Sequence, residues 1–171
     1  MDYVQKIPSP LGNLIALSDG AGVTGLWFSG GRRAPEEGRS GLVREDLPVF
    51  KKLREWLGIY FSGRNPPFTP PIALVGSDFR QAVWALLLEI PFGQVTTYGD
   101  IAGRLEVTTG KRQSPRAVGG AVGHNPVSII VPCHRVIGAG GNLTGYGGGM
   151  DKKVALLRLE GVDTGKFVLP R

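Results

Sequence analysis

The sequence predicts an α+β fold with a sheet-containing N-terminal part and a mainly helical C-terminal part. The first 30 residues alternate short segments of β-branched and apolar residues with turn sequences, a pattern typical of strands. Apolar residues at helical spacing follow at 49–61. From residue 77 onward, short helical segments rich in glycine dominate. We therefore expect two domains, an α+β domain at 1–76 and a helical domain at 77–171.

Strands and one helix are expected in the N-terminal domain. The strands are Asp2–Ile7, Gly12–Ser18 and Val23–Ser29, and turn-forming residues separate them. The segment 30–48 has little periodicity and is expected to be a surface loop. A helix is expected at Val49–Phe61. A further strand at Thr69–Val75 would lie at a sheet edge because of its prolines.

Three helices are expected in the C-terminal domain, and residues typical of N-caps precede each of them. They cover 79–88, capped by Ser77 or Asp78, then 98–105, capped by Thr96 or Thr97, and 116–123, introduced by Ser114 and Pro115. Two short helices joined by a turn, as expected for the second and third, are the pattern of a helix-turn-helix.

Composition narrows the class of protein. A formal net charge of +6 and a pI near 9.8 favour a polyanionic partner such as nucleic acid, without deciding for one. The chain has one cysteine and therefore no internal disulfide, which is typical of a reducing compartment, here the cytoplasm. The first residues do not resemble a signal peptide and no apolar stretch could span a bilayer, so no membrane partner is expected.

The single cysteine lies beside a histidine, and this pair allows two interpretations. Cys133 is either an inert buried thiol or a nucleophile whose pKa the imidazole of His134 lowers. Side chains of neighbouring residues in an extended chain point in opposite directions. For His134 to act on Cys133, the chain must turn after the cysteine or a water must bridge the two side chains.

The third expected helix of the C-terminal domain consists almost entirely of Ala, Gly and Val after Arg116. Such side chains cannot hydrogen-bond to base edges in a major groove. Either this helix packs closely against another helix, or it reads the shape of DNA with Arg116 as the contacting side chain.

Six sequence blocks together resemble the O6-alkylguanine-DNA alkyltransferases, a family of DNA-repair proteins. The blocks are Phe92-Gly93 with Thr97–Ala102, Arg116–Ala121, Asn125-Pro126, Val131–Val136, Thr144–Gly149 and Leu156–Gly161. They lie within about half of the chain, in the order and spacing of the family. The N-terminal half matches the family only loosely, through Ser9–Gly12.

This resemblance implies a fold and a reaction. The N-terminal domain would be ribonuclease-H-like, and the C-terminal domain would contain a winged-helix-like helix-turn-helix. The protein would flip O6-alkylguanine out of duplex DNA and transfer the alkyl group irreversibly to Cys133. It would be a methylated-DNA–protein-cysteine S-methyltransferase that acts once per molecule, because an S-alkyl cysteine has no carbonyl that water could attack.

The resemblance also assigns the reacting groups. Cys133 would be the nucleophile, activated through a bound water by His134, which Glu160 would hold. Tyr98 would crowd the target phosphate and donate a proton or hydrogen bond to the guanine. Asn125 would brace the loop that carries the cysteine. Without the resemblance, Glu160 would be interpreted as a solvated carboxylate at a helix end.

Contacts with DNA and substrate are implied as well. Arg116 would fill the gap left by the flipped base, and Tyr98, Ala117, Gly120 and Ala121 would be further DNA contacts. The expected substrate pocket consists of Val136, Tyr146, Gly147 and Gly148. Many family members carry serine where Gly147 stands, so a roomier pocket that admits bulkier alkyl groups is expected here.

The expected partner is double-stranded DNA that contains O6-alkylguanine, bound through its minor groove by a monomer, with cooperative binding left open. No cofactor is expected, and no metal, since one cysteine and two histidines do not form a structural zinc set. His124 is interpreted as a surface or loop-packing residue, or as a phosphate contact, and not as a catalytic group. Two other classes stay open: a cysteine hydrolase that turns over, and a lesion-recognition protein that transfers nothing.

Overall fold

The computed structural model of the chain describes residues 2–36, 38–143 and 146–168. This part of the chain is mixed α/β, with five α-helices, a four-stranded sheet and a two-stranded sheet. It forms two compact units. The first contains the described residues up to Val75 together with Pro126–Ser128, and the second contains Gly76–Asn125 and the described residues from Ile129 onward.

The sheet of the first unit is built from four strands in the order β3-β2-β1-β4. The strands are β1 Asp2–Ile7, β2 Leu14–Ser18, β3 Val23–Phe28 and β4 Leu42–Arg44. β2 is antiparallel to both β1 and β3, whereas β4 is parallel to β1. The first three strands confirm the sequence prediction within two residues at each end.

Two predictions for the first unit are wrong. The expected loop at 30–48 contains β4, whose residues Leu42 and Arg44 face Asp2 and Val4 of β1. The expected strand at 69–75 is reduced to a single bridge between Ile72 and Val23. The residues before Ile72 are prolines, which have no N–H group to donate, so the ladder cannot continue through them.

Helix α1, Pro48–Phe61, follows the expected apolar pattern. Proline at its first position needs no hydrogen bond from its missing N–H, which favours a helix start there. One face of the helix is buried, and Trp56 and Tyr60 stack with ring centroids 5.3 Å apart. The buried residues of α1 are Val49, Phe50, Leu53, Trp56, Leu57 and Tyr60.

The second unit contains α2 Asp78–Leu88, α3 Tyr98–Thr109, α4 Pro115–Gly123 and α5 Met150–Leu159. Side-chain oxygens of Ser77, Thr97 and Ser114 cap the first three of these helices by accepting backbone N–H groups. α3 runs past the expected end at Leu105 and stops at Gly110, whose φ of 73° is a left-handed conformation that suits glycine. α5 is a helix that the sequence analysis did not predict.

Strand pairing, one side-chain hydrogen bond and one glycine hold elements of the second unit in place. The two-residue strands β5 Thr96–Thr97 and β6 Val136–Ile137 pair in parallel and join the start of α3 to the residues after this turn. The buried Trp84 of α2 donates from Nε1 to the carbonyl oxygen of Ala121 in α4, at 2.9 Å. A methyl group at Gly76 would lie 2.6 Å from the Trp84 ring, so glycine is required there.

Within the described parts of the chain, no helix combines the length and the apolar character needed to cross a membrane. The same residues contain no cluster of three His, Cys, Asp or Glu side chains that could hold a metal ion. Thr144 and Gly145, which belong to one of the sequence blocks noted above, lie outside the described residues.

Candidate active site

Cys133 is presented by two consecutive tight turns. Pro132, with φ −81° and ψ 65°, forms an inverse γ-turn in which the N–H of Cys133 donates to the carbonyl of Val131 at 2.8 Å. A 3-10 turn, Cys133–Arg135, follows and leads into β6. The chain therefore turns at the cysteine, as the pairing of a thiol with the next side chain requires. The thiol is buried, with 8% of the residue exposed.

The segment before the cysteine is held in an unusual conformation. Ile129 has a φ of 72°, a left-handed conformation that is rare for a β-branched residue and costs about 1–3 kcal/mol. Its side chain is buried, and the buried Asn125 donates from Nδ2 to the carbonyl of Val131 at 2.8 Å. This hydrogen bond joins Asn125 to the segment that precedes the cysteine.

Glu160 lies at the C-terminal end of α5 and collects three hydrogen bonds. Its Oε2 lies 2.5 Å from Nε2 of His134. Its Oε1 accepts from Nε of Arg135 at 2.8 Å and from the backbone N–H of Gly93 at 2.9 Å. His134 and Glu160 have fully buried side chains, so Glu160 is a helix-end carboxylate as interpreted without the resemblance, but it is not solvated.

Arg135 ties this carboxylate to the end of α2. Besides its bond to Glu160, it donates from NH1 to the carbonyl of Ile90 at 2.7 Å. Its guanidinium also lies 5.8 Å from the centre of the Phe92 ring, within the range of a cation–π interaction. The residues from Ile90 to Gly93 are therefore held by Glu160, which also bonds to His134, and by Arg135, which bonds to Glu160.

The charge states of this pair follow from burial and hydrogen bonding. Burial alone would raise the pKa of Glu160, but His134 and Arg135 outweigh it and lower that pKa to about 2. Burial lowers the pKa of His134, which is therefore a neutral imidazole at neutral pH. Because an ionised carboxylate only accepts hydrogen bonds, Nε2 of His134 carries the proton and Nδ1 carries the lone pair.

Cys133 is protonated at rest. Burial raises the pKa of the thiol. The hydrogen bond of Asn125, the charge of Lys153 and the backbone N–H groups of Cys133 and His134 act in the opposite direction and make the thiolate less costly. The thiol must therefore give up its proton as it reacts, and His134 is the adjacent neutral base.

Lys153 is a completely buried lysine in α5, which packs against the turn that carries Cys133. Its Nζ donates to the carbonyl of Val136 at 2.7 Å. Burial lowers the pKa of Lys153 to about 8, and the charge of Cys133 opposes this shift. The group thus keeps its positive charge at neutral pH, close enough to the thiol to influence it.

The residues expected to contact DNA lie on two faces of α4. Arg116, Ala117 and Gly120 are exposed and share one face. Ala121 does not share it: only 3% of this residue is exposed, and its carbonyl accepts from Trp84. Helical periodicity turns position 121 toward the core side with Val118, so the expectation for Ala121 is corrected.

The remaining expected site residues lie on α3 and near the start of α5. Tyr98 is half-buried at the first position of α3, and its ring lies 3.9 Å from the place that a methyl group on Gly119 would occupy. Val136 is buried, Tyr146 and Gly148 are half-buried and Gly147 is exposed. His124 ends α4, with Nδ1 2.7 Å from the carbonyl of Gly120, and takes no part in the Cys133 network described here.

Arg135 and Lys153 are part of the site, and the sequence analysis missed both. For Lys153 a signal was present, because positions 153, 156, 157 and 160 have the i, i+3, i+4, i+7 spacing of a buried helix face. That face carries a lysine at one end and a glutamate at the other, with Leu156 and Leu157 between them. Charged residues inside an apolar stripe predict buried, partnered charges.

The chain is similar to proteins of one known family. A family model described as "6-O-methylguanine DNA methyltransferase, DNA binding domain" matches residues 78–162. A methylated-DNA–protein-cysteine methyltransferase from Haemophilus influenzae is 43% identical over 92% of this chain and 86% of its own length. One from Methanosarcina acetivorans is 40% identical over 93% of this chain and 98% of its own length.

Solved structures are similar as well. The crystal structure of Mycobacterium tuberculosis OGT in complex with DNA matches with a TM-score of 0.81 at 41% identity, over 96% of this chain and 94% of that one. The structure of the O6-methylguanine methyltransferase from the same organism matches with a TM-score of 0.81 at 43% identity, over 94% and 93% of the two chains.

Proposed function

Because the chain belongs to the 6-O-methylguanine DNA methyltransferase family, we propose that it is a DNA-repair protein that transfers the alkyl group of O6-alkylguanine to Cys133. The observation that carries the proposal is the buried thiol next to a neutral His134, which an ionised Glu160 holds. A nucleophile, a base and a group that orients the base are the three parts that nucleophilic catalysis needs.

The proposed transfer moves the alkyl carbon from O6 of guanine to the sulfur of Cys133. Nδ1 of His134 takes the proton of the Cys133 thiol, directly or through a water, and the thiolate attacks the carbon bonded to O6. The sulfur–carbon bond forms as the carbon–oxygen bond breaks, and the electron pair of that bond stays on the guanine. Tyr98 donates a proton to the departing guanine, and the proton that His134 took from the thiol returns to Tyr98 through solvent, so that both side chains end in their starting states. The products are S-alkyl cysteine and unmodified guanine.

This chemistry allows one turnover. A thioether has no electrophilic carbonyl, and the carbon it has gained is a poor target for water. No step in the proposed site removes the alkyl group, so each molecule repairs one base. Glu160 and Arg135 keep their positions throughout, and their task is to hold His134 in the tautomer that accepts the thiol proton.

DNA binding is proposed for the face of the second unit formed by α3 and α4. These helices are joined by a short connection, and together they would act as a helix-turn-helix of the winged-helix type. The small residues of α4 would let its backbone approach the minor groove closely, with Arg116 filling the space of the flipped nucleotide. The DNA complex of the Mycobacterium tuberculosis relative supports duplex DNA as the partner.

We further propose that the two compact units correspond to domains at 1–76 and 77–171, except that Gly76 belongs to the second unit and Pro126–Ser128 to the first. The order β3-β2-β1-β4, with only β4 parallel to β1, supports a ribonuclease-H-like N-terminal domain. The protein would act as a monomer, since one thiol suffices for one lesion. The thiol must stay reduced to react, which fits the cytoplasm.

The substrate pocket would be formed by Val136, Tyr146, Gly147 and Gly148. A methyl group added at Gly147 would meet no atom of the described residues within 4 Å, so these residues leave room for the β-carbon of serine. We expect Gly147→Ser to lower the rate of benzyl transfer relative to methyl transfer, measured on O6-benzylguanine and O6-methylguanine oligonucleotides. Equal rate ratios in the parent and the variant would contradict the assignment of this pocket.

Intact-mass spectrometry tests the proposed function directly. Incubation with an oligonucleotide that contains one O6-methylguanine should add the mass of one methyl group to Cys133 and remove the same mass from the DNA, which then carries unmodified guanine. Cys133→Ser should bind such DNA but gain no mass. A protein that stays unmodified while consuming substrate would be a hydrolase. One that binds the lesion and changes nothing would be a recognition protein, and the homologues favour neither.

A further inference from the structure

The residues 164–168, which we call the C-terminal segment, run beside the loop that leads to the proposed substrate pocket. The N–H of Val168 donates to the carbonyl of Gly141 at 2.9 Å, and the carbonyl of Val168 accepts from the N–H of Leu143 at 2.8 Å. These two bonds form a parallel bridge between Val168 and Asn142. The C-terminal segment therefore pairs with the loop as a short strand would.

The loop that receives this pairing spans 138–149, and we call it the pocket loop. The structure describes its residues 138–143 and 146–149. Gly140 and Gly141 have φ of 71° and 80°, which are left-handed conformations open to glycine. Glycine loses more conformational entropy on folding than any other residue, so two in succession keep one conformation only when other contacts hold them.

Side-chain packing supports the same pairing. Leu143 is 1% exposed and belongs to a buried cluster with Ile137 and Leu157, and Phe167 packs against this cluster. Val168, in contrast, is 55% exposed although both of its backbone polar groups are bonded to the pocket loop. Val168 therefore acts through its backbone, and Phe167 acts through its side chain.

The C-terminal segment is itself fixed to α5. The side chain of Asp163 accepts from the N–H of Gly165 at 3.0 Å and caps the 3-10 turn Thr164–Lys166. Arg158, in the last turn of α5, donates from Nε to Oγ1 of Thr164 at 2.8 Å. Because the segment is bonded to a helix, its pairing fixes the pocket loop relative to that helix.

Tyr146 of the proposed substrate pocket lies between two anchored points. It follows Leu143 by three residues, so the chain keeps it within about 11 Å of that buried residue. On the other side, the N–H of Gly149, the residue before α5, donates to the carbonyl of Tyr146 at 2.9 Å. The C-terminal segment provides the first of these two anchors.

We infer that the C-terminal segment positions the pocket loop for substrate binding, with the side chain of Phe167 and the backbone of Val168 as the positioning groups. This inference deepens the proposed alkyl transfer and rests on it. The segment acts on the alkylated base through Tyr146 and Gly147, whereas the thiol lies on a different turn. Loss of the pairing should therefore weaken substrate binding and leave the thiol as reactive as before.

Two variants with matched controls remove the pairing. Val168→Pro removes the N–H that bonds to Gly141, and Phe167, with φ −95° and ψ 153°, already has the extended conformation that a residue before proline prefers. Val168→Thr is its control, because it changes only an exposed side chain of similar shape. Deletion of 164–171 removes the whole segment, and deletion of 169–171 is its control.

Transfer from free O6-benzylguanine, followed by intact mass at a series of concentrations, measures substrate binding and reaction separately. We expect Val168→Pro to need about tenfold more benzylguanine for its half-maximal rate and to keep a maximal rate within about twofold of the parent. Alkylation of Cys133 by iodoacetamide should proceed at the parent rate, and thermal melting checks that the variant is folded. If the concentration dependence matches the parent, or if the iodoacetamide rate falls by the same factor, the inference is wrong.

Hydrogen exchange read by mass spectrometry tests the pairing without any transfer. The amides of 138–149 should exchange about tenfold faster in Val168→Pro than in the parent or in Val168→Thr. Unchanged exchange would overturn the inference. A parent protein that takes an alkyl group neither from benzylguanine nor from methylated DNA would remove the proposed function, whereas the exchange rates would still decide whether the C-terminal segment holds the pocket loop.

Discussion

Two ion pairs in the second unit have almost the same geometry and opposite surroundings. Arg104 and Glu89 approach to 2.6 Å with about half of each side chain exposed, at 54% and 57%. Arg135 and Glu160 approach to 2.8 Å with 10% and 0% exposed. The first pair joins α3 to the end of α2 across the surface. The second pair contains Glu160, which also bonds to His134, the proposed general base.

The comparison shows that the contact distance of an ion pair does not determine how much stability the protein loses when one partner is removed. The two charges of an exposed pair lose solvation by water and gain a modest attraction, so the pair adds only about 0–1 kcal/mol to the free energy of unfolding. A buried pair contributes little over an apolar replacement, yet removing one partner leaves an uncompensated charge and costs about 3–5 kcal/mol. Glu160 also accepts from His134 and Gly93, so this uncompensated charge would lie where the proposed chemistry takes place.

Removal of the cation from each pair should give the largest contrast. We expect Arg135→Met to lower the free energy of unfolding by about 3–5 kcal/mol, since Glu160 would keep its charge without the guanidinium. Arg104→Met should change it by less than about 1 kcal/mol. Urea denaturation followed by circular dichroism measures both values. Equal losses in the two variants would show that burial does not govern these pairs.

Replacement of the carboxylate in each pair should distinguish the two pairs by the effect on the rate of methyl transfer. In Glu160→Gln the amide can donate to Nε2 of His134 and so move the imidazole proton to Nδ1, the wrong tautomer for accepting the thiol proton. We expect methyl transfer to slow about 100-fold, or about 2.7 kcal/mol in activation free energy. Glu89→Gln is the control. Single-turnover assays with a methylated oligonucleotide would contradict the proposal if both variants matched the parent.

As pH falls, the protein should lose more stability through protonation of the buried carboxylate than through protonation of an exposed one. The pKa of Glu160 is lowered from 4.5 to about 2 on folding, so its contribution is present above pH 4.5 and is lost as pH falls toward about 2. Glu160→Gln should lack this part of the acid-induced loss of stability. Asp46, whose pKa is lowered by its hydrogen bond to Arg54, is 44% exposed, so Asp46→Asn should change the profile less. Denaturation at a series of pH values measures both profiles.

Salt should produce the smallest effect. Ions screen exposed charges, with a Debye length of about 10 Å at 0.1 M salt and about 3 Å at 1 M. A double-mutant cycle on Arg104 and Glu89 should therefore give a coupling energy of a few tenths of a kcal/mol that vanishes at 1 M NaCl. The cycle on Arg135 and Glu160 should keep its coupling energy. A buried pair as salt-sensitive as the surface pair would indicate that water enters the site.

Much of the fold could be predicted because it depends on local patterns. The apolar period of α1, the capping residues Ser77 and Ser114, and the turns between the first strands are all readable within a few residues. β4 could not be predicted in this way, since it pairs with β1 across some forty residues of chain. β5 and β6 contain two residues each and carry no period at all.

The site was predicted in part, for a related reason. A family resemblance identified Cys133, His134 and Glu160, and the structure brings the last two into contact, while the roles assigned to all three stay proposals. Arg135 and Lys153 were missed because charged residues are assigned to solvent unless a partner is known. Their partners are backbone carbonyls and a distant glutamate, which no local pattern reveals.

Ile129 shows how far the thiol-bearing segment depends on the rest of the molecule. Its left-handed backbone is one that an isolated peptide with isoleucine at this position would abandon. A synthetic loop covering 125–137, or the same segment transplanted into another scaffold, would relax to right-handed or extended geometry and misdirect the sulfur. The reactive motif is therefore not portable as a short sequence: whatever receives it must also recreate the amide of Asn125 and the buried environment that keeps Ile129 in place.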